Sequence, residues 1–173
     1  RRRDPIVRLQ AQITGGGQQA GRRSGTLNVP GIIGLAKALK LCTDELENES
    51  PRLASLRDNL WQTLNEQIEG LQICGPAIDI PEASEHPRRL PGNLNFALGD
   101  VDGEALLMAL DGLAISTGAT CASSDPGPSH VLLALGMSED LARSSLRFGL
   151  GRFNTAAEVS TATQMVQDAV SSL

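Results

Sequence analysis

Residues 113–136 read LAISTGATCASSDPGPSHVLLALG. Three textures follow one another in this stretch. Leu113 to Ser116 reads as a short strand. Thr117 to Gly127 is a run of small, hydroxylated and turn-forming residues that cannot pack a core, which predicts an exposed loop. Ser129 to Leu135 reads as a short helix stopped by Gly136. The same alternation continues outward on both sides. Upstream, Asn93 to Leu98 predicts a strand, followed by a helix from Asp102 to Leu110 with Asp102 as its N-cap. Downstream, Ser138 caps a second short helix and Ser145 to Phe148 predicts a strand. The segment Thr155-Ala-Ala-Glu158 has the pattern of a capping box opening a last helix, with Val159, Ala162, Val166 and Ala169 on its buried face. Short strands interleaved with amphipathic helices predict an α/β or α+β domain, with helices against a sheet.

The N-terminal half extends that picture. Pro5 to Gln12, with Ile6, Val7 and Leu9, is β-like, and 14–26 (TGGGQQAGRRSGT) is a polar, glycine-rich loop. Asn28 and Pro30 start a helix with apolar positions Ile33, Leu35, Ala38 and Leu41, running to about Leu46. Pro51 opens a second helix, with Leu53, Leu56, Leu60, Leu64 and Ile68 in one stripe and Gly70 closing it. Leu71 to Cys74 is a brief strand, and Pro76 to Pro91 a polar connector. A change of texture at 45–52 suggests a boundary there, dividing 1–45 from 46–173.

Composition narrows the function. The 173 residues carry a formal net charge of −5, which argues against a phosphate-tracking nucleic-acid binder. No stretch reaches the roughly 20 apolar residues that span a bilayer, and no signal peptide is recognisable, so a cytoplasmic protein without a membrane partner is expected. Cys42, Cys74 and Cys121 are far apart, with no C-x-x-C spacing, so neither a disulfide framework nor a metal site is expected. Cys42 and Cys74 read as packing residues of a helix and a strand. Cys121, in its loop of small residues, reads from residue chemistry as either a reactive thiol or an incidental surface cysteine. Arg147 by itself reads as a strand-end arginine paired to some carboxylate.

Several motifs taken together decide between these readings. They are Ser116-Thr-Gly-Ala-Thr-Cys121-Ala-Ser, then Ser144-Ser-Leu-Arg147-Phe-Gly-Leu-Gly-Arg-Phe153 with Arg147 26 positions after Cys121, and upstream Gly15-Gly-Gly with Arg23-Ser-Gly-Thr26. In this order, over nearly all the chain, they resemble the NifS/IscS-type cysteine desulfurases of the class V aminotransferase family. The loop departs from the usual family pattern at Gln19-Ala20, where an acidic residue followed by a larger one is common.

The resemblance implies the C-terminal part of a type I pyridoxal-phosphate-dependent transferase fold. Residues 1–45 would be the end of the large cofactor-binding domain, with its phosphate-loop segment. Residues 46–173 would be the small C-terminal α+β domain, with the active-cysteine loop at 116–128. It implies a homodimeric enzyme that moves sulfur from L-cysteine to Cys121 as a persulfide and releases alanine. The sulfur would pass on to an iron–sulfur scaffold or another acceptor protein. Arg147 would bind the substrate carboxylate, Thr26 would reach the cofactor phosphate of the partner subunit, and Arg23 would support that loop. His130, His86, Lys37 and Lys40 match no family site. The family's Schiff-base lysine, stacking histidine and pyridine-facing aspartate are not among these residues. The chain also lacks an initiator Met, so an N-terminal large-domain polypeptide is expected as the missing partner. The isolated chain is expected neither to hold pyridoxal 5'-phosphate nor to turn over cysteine. Alternatives are a selenocysteine lyase of the same fold, or a non-catalytic sulfur-relay or docking module.

Overall fold

A computed structural model describes residues 8–78, 89–117 and 127–173. Two compact units result, Arg1–Glu45 and Leu46–Leu173.

In the first unit the glycine-rich loop folds on itself. Ser24 donates its N–H to the Ile13 carbonyl (3.0 Å) and its hydroxyl to the Gly16 carbonyl (2.6 Å). Between these ties lies a 3-10 turn, Gln18–Gly21, in which Gln19 (φ 53°) and Ala20 (φ 56°) occupy the left-handed region. That conformation is uncommon for residues with a Cβ. The β-like run expected over 5–12 lies partly outside the described residues, and 8–12 forms no strand. The apolar pattern there is satisfied only when a neighbouring strand supplies a ladder, and none of the described strands does so.

The two helices expected on either side of Pro51 are one, α1 (Val29–Gln67), with Pro51 inside it. A proline within a helix removes one main-chain hydrogen bond, yet Glu-Asn-Glu-Ser before it has no turn-forming glycine to end the helix. Arg52 braces the site. Its guanidinium grips both carboxylate oxygens of Glu49 (2.8 and 2.9 Å) and donates to the carbonyls of Gly151 (3.3 Å), Arg152 (3.0 Å) and Asn154 (2.8 Å). That hydrogen bond from Arg52, more than its charge, holds the Glu49 carboxyl below its ordinary value of 4.5.

The second unit is an α+β layer. Four antiparallel strands, β1 (Leu71–Ile73), β2 (Asn93–Leu98), β3 (Ser116–Thr117) and β4 (Ser145–Gly149), lie in the order β1-β2-β4-β3. The helices are α2 (Gly103–Ala109), α3 (His130–Ala134), α4 (Glu139–Arg143) and α5 (Ala156–Ser172). Asp102, Ser129 and Ser138 cap the first three, and Thr155 with Glu158 forms a full capping box on the last. β3 is shorter and later than Leu113–Ser116, because Leu113 and Ile115 donate their N–H groups to the Leu110 and Leu113 carbonyls and stay in a turn.

The period of two along a strand sends alternate side chains to opposite faces. Leu94, Phe96 and Leu98 of β2 face the same way as Leu146 and Phe148 of β4. They bury against Leu60 and Leu64 of α1, Leu106 of α2, and Val159 and Val166 of α5. Phe96 stacks on Phe148 with centroids 5.6 Å apart, and Trp61 tilts onto Phe96 at 6.4 Å. The expected stripe on α1 holds at Leu60, Leu64 and Ile68, with Leu53 and Leu56 half-buried. On α5 the fully buried position is Thr163 rather than Ala162, because its hydroxyl is satisfied by the Val159 carbonyl (2.9 Å). In the first unit Ile33 and Leu35 are exposed.

Gly103 opens α2 where the chain presses on the end of α4. A Cβ there would collide with the Arg143 carbonyl and sit 2.9 Å from the Ser144 Cα, both main-chain atoms that cannot turn aside. Glycine to alanine usually strengthens a helix by about 1 kcal/mol. Here overpacking reverses the sign: Gly103→Ala is expected to lower unfolding free energy by about 2 kcal/mol in urea titration.

Candidate functional site

The other face of the sheet is polar toward β3. Asn93 and Asn95 of β2 point to this face with Ser145, Arg147 and Gly149 of β4 and Ser116 of β3, by the alternation that buries their neighbours. Arg147 pairs with Asn95 on one side and Ser116 on the other. It is exposed, between buried Leu146 and Phe148. A Cβ built on Gly149, two residues along the same face, meets no atom of the described residues within 4 Å, so among them the space beside Arg147 is open. A planar guanidinium on an exposed polar face suits a carboxylate, which it can hold with two parallel bonds.

Toward β1 this face is closed. Cys74 and Ala97 pack with Leu132 of α3 and Ala142 of α4 in a small cluster. Arg89 donates to the carbonyls of Cys74 (2.8 Å) and Pro76 (2.6 Å), fixing the chain as it leaves β1. Burial pushes the Cys74 thiol from 9.0 up to about 11, an effect the nearby Arg89 charge only partly offsets. Desolvation, then the Arg57 guanidinium, lowers the Arg89 pKa.

The remaining sequence candidates fall as follows. Cys121 and most of the loop 116–128 lie outside the described residues, as does His86. Thr26 is exposed. Arg23 turns back on its own loop, donating to the carbonyls of Gly25 (2.9 Å) and Thr26 (3.1 Å). Residues 14–27 contain no carboxylate, and their glycines, hydroxyls and arginines form a donor set that fits one edge of a phosphate. His130 is exposed at the start of α3, and Lys40 is engaged with Asp44 at 2.9 Å. Cys74 is a packing residue, as its strand suggested. Cys42 is not: it is exposed, because its part of α1 buries few of its side chains within the first unit. Sequence reasoning passed over Asn95. Asparagine at alternate positions of an otherwise apolar strand was the available signal, since an uncharged amide is seldom spent on a face with nothing to bind.

The family profile described as aminotransferase class-V matches residues 7–161. A protein named cysteine desulfurase IscS from Anaeromyxobacter dehalogenans (strain 2CP-C) is 46% identical over 99% of this chain and 40% of its own length. Cysteine desulfurase IscS from Pasteurella multocida (strain Pm70) is 44% identical over the same shares. The chain thus spans about 40% of the length of the curated relatives it matches. Among solved structures, a NifS-like protein from Rickettsia africae ESF-5 superposes with a TM-score of 0.76 at 27% identity, covering 95% of this chain and 41% of that one. Another NifS-like protein gives 0.76 at 31% identity, with 96% and 40% covered. The fold is accordingly part of a type I pyridoxal-phosphate-dependent transferase fold. No helix among the described residues is long and apolar enough to cross a membrane.

The Cys74 environment gives a direct chemical check. A thiol titrating near 11 carries about a hundredfold less thiolate at pH 8 than one at its ordinary value. Iodoacetamide at pH 8, with modified peptides quantified by mass spectrometry, is expected to label Cys74 at least about a hundredfold more slowly in the folded protein than in urea. The difference should shrink as the pH is raised toward 11.

Proposed function

The chain belongs to the class-V aminotransferase family, and on that footing we propose that it forms the C-terminal part of a cysteine desulfurase. The observation that carries this reading is Arg147, exposed beside open space on the polar face of a sheet whose other face is sealed by the core. In this reading the guanidinium receives the α-carboxylate of L-cysteine with a two-pronged grip, which fixes both the position and the rotation of the amino acid. Cys121 is the nucleophile. As a thiolate it attacks the sulfur of the bound substrate: an S–S bond forms, the bond from that sulfur to the β-carbon breaks, and the three-carbon remainder keeps the electron pair, takes up a proton and leaves as alanine.

Thr26, with the loop that Arg23 braces, supplies a hydroxyl to the phosphate of pyridoxal 5'-phosphate across a homodimer. When bound, that cofactor supplies the electron-withdrawing ring that loosens bonds at the amino acid's α-carbon. Residues 1–45 belong in this reading to the large cofactor-binding domain, and 46–173 to the small domain. The acceptor downstream of Cys121 is an iron–sulfur scaffold or another sulfur-using protein, and the setting is the cytoplasm.

The test uses the complete enzyme. Arg147→Ala is expected to raise KM for L-cysteine by about a hundredfold, the scale of a lost charge-assisted bidentate contact. Cys121→Ser should abolish the +32 Da adduct, which is the mass of one sulfur atom, together with sulfide release in the presence of a reducing thiol. Full desulfurase activity in Cys121→Ser would remove the proposed nucleophile. A persulfide on Cys121 that forms only when another protein donates it would favour a relay instead.

A further inference from the structure

Across the polar face of the sheet, Cys74, Asn95, Arg147 and Ser116 stand in one row. The main chain of Asn95 is committed toward β1, where its carbonyl accepts the Cys74 N–H at 2.8 Å. Asn95 and Arg147 therefore form a non-hydrogen-bonded pair in the β2–β4 ladder, the kind in which facing side chains approach most closely. The Asn95 side-chain oxygen Oδ1 is buried and, among the described residues, accepts no hydrogen bond. A buried amide oxygen without a donor is a rarity that calls for a reason. Here the donor-rich group in register is the Arg147 guanidinium, while the space over Gly149 on the same face is open.

We propose that Asn95 is a positioning residue for Arg147: its buried Oδ1 accepts one guanidinium N–H and so directs the two-pronged edge toward a carboxylate in the space over Gly149. The inference rests on the carboxylate role of Arg147 and extends it. An amide oxygen suits the inner position better than a carboxylate would. It orients the guanidinium without neutralising the charge that the ligand needs. The oxygen is closed off from solvent, so its reach is to a side chain beside it in the sheet rather than to a ligand arriving from outside.

The experiment measures binding by calorimetry in the complete cofactor-loaded enzyme. The ligands are S-methyl-L-cysteine and 2-(methylthio)ethylamine, the same molecule without its carboxylate. Asn95→Ala is expected to weaken S-methyl-L-cysteine about tenfold, the effect of one charge-assisted hydrogen bond. It should leave the amine within about twofold, and the retained amine binding also reports an intact fold. Placed on Arg147→Ala, the same substitution should cost no more than about twofold further, because the group it positions is gone.

An unchanged affinity in Asn95→Ala, with Arg147→Ala still weakening the carboxylate ligand, would overturn the role of Asn95 alone. If Arg147→Ala itself leaves the carboxylate ligand unaffected, the clamp reading falls and takes this inference with it. Equal loss of both ligands, or additive losses in the double variant, would make Asn95 a general structural residue. Should Asn95→Ala not fold, Asn95→Ser, whose hydroxyl fills the position but is too short to reach the guanidinium, is expected to show the same carboxylate-selective loss. Failure of both to fold would overturn the proposal.

Discussion

The antiparallel pairing of β2 with β4 is the constraint on which the Leu46–Leu173 unit depends. Five residue pairs fix which side chains point to the core and which do not. A slip of one residue along β4 would expose Leu146 and Phe148 and drive Arg147 into the layer of Leu60, Leu64 and Val166. Burying an unpaired guanidinium there would cost far more than the sheet could recover. Core packing and site geometry are therefore one specification, enforced by the same register. The Phe96–Phe148 stack adds a diagonal contact to this register, with Leu146 opposite Phe96 and Phe148 opposite Leu94.

The two faces of this sheet do different jobs at different dielectric. The apolar face is sealed by α1, α2 and α5 and tolerates little change in volume. The polar face is half covered. Under α3 and α4 it is dry enough to keep the Cys74 thiol protonated well above neutrality. Two strands along the same row stands Arg147, exposed, with Gly149 beside it on the same face. A charge set at the margin of a dry patch is screened less than one on a free surface, which favours capture of an anion. The inertness of Cys74 leaves it a packing residue.

Much of this was legible in the sequence, for physical reasons that can be named. β2 was read to the residue because Asn93 to Leu98 combines strand-forming side chains with clear stops on either side. The caps at Asp102, Ser138 and Thr155 agree with the sequence because capping is local: the donor and acceptor lie within three residues. What failed was non-local. Pro51 was taken as a helix start, but the groups that stabilise its surroundings are carbonyls a hundred residues away. β3 was placed too early because its extent is set by what β4 offers, not by its own composition. Cys42 was expected to pack because its neighbours are apolar, yet a stripe of leucines does not reveal what covers it. That Asn95 stands opposite Arg147 is a matter of register, and a pairing partner has no signature within a single strand.

The brace formed by Arg52 has a mechanical consequence for the strand that carries Arg147. Beyond Gly149 the chain is stapled through three successive-turn carbonyls to a helix that is itself seated in the core. One end of β4 is thereby denied the freedom to hinge. Adjustment to an arriving molecule must come from rotation about the arginine's own side-chain bonds, a motion of picoseconds to nanoseconds rather than of a moving backbone. The scaffold behaves as a fixed jaw, and whatever travels must come to it.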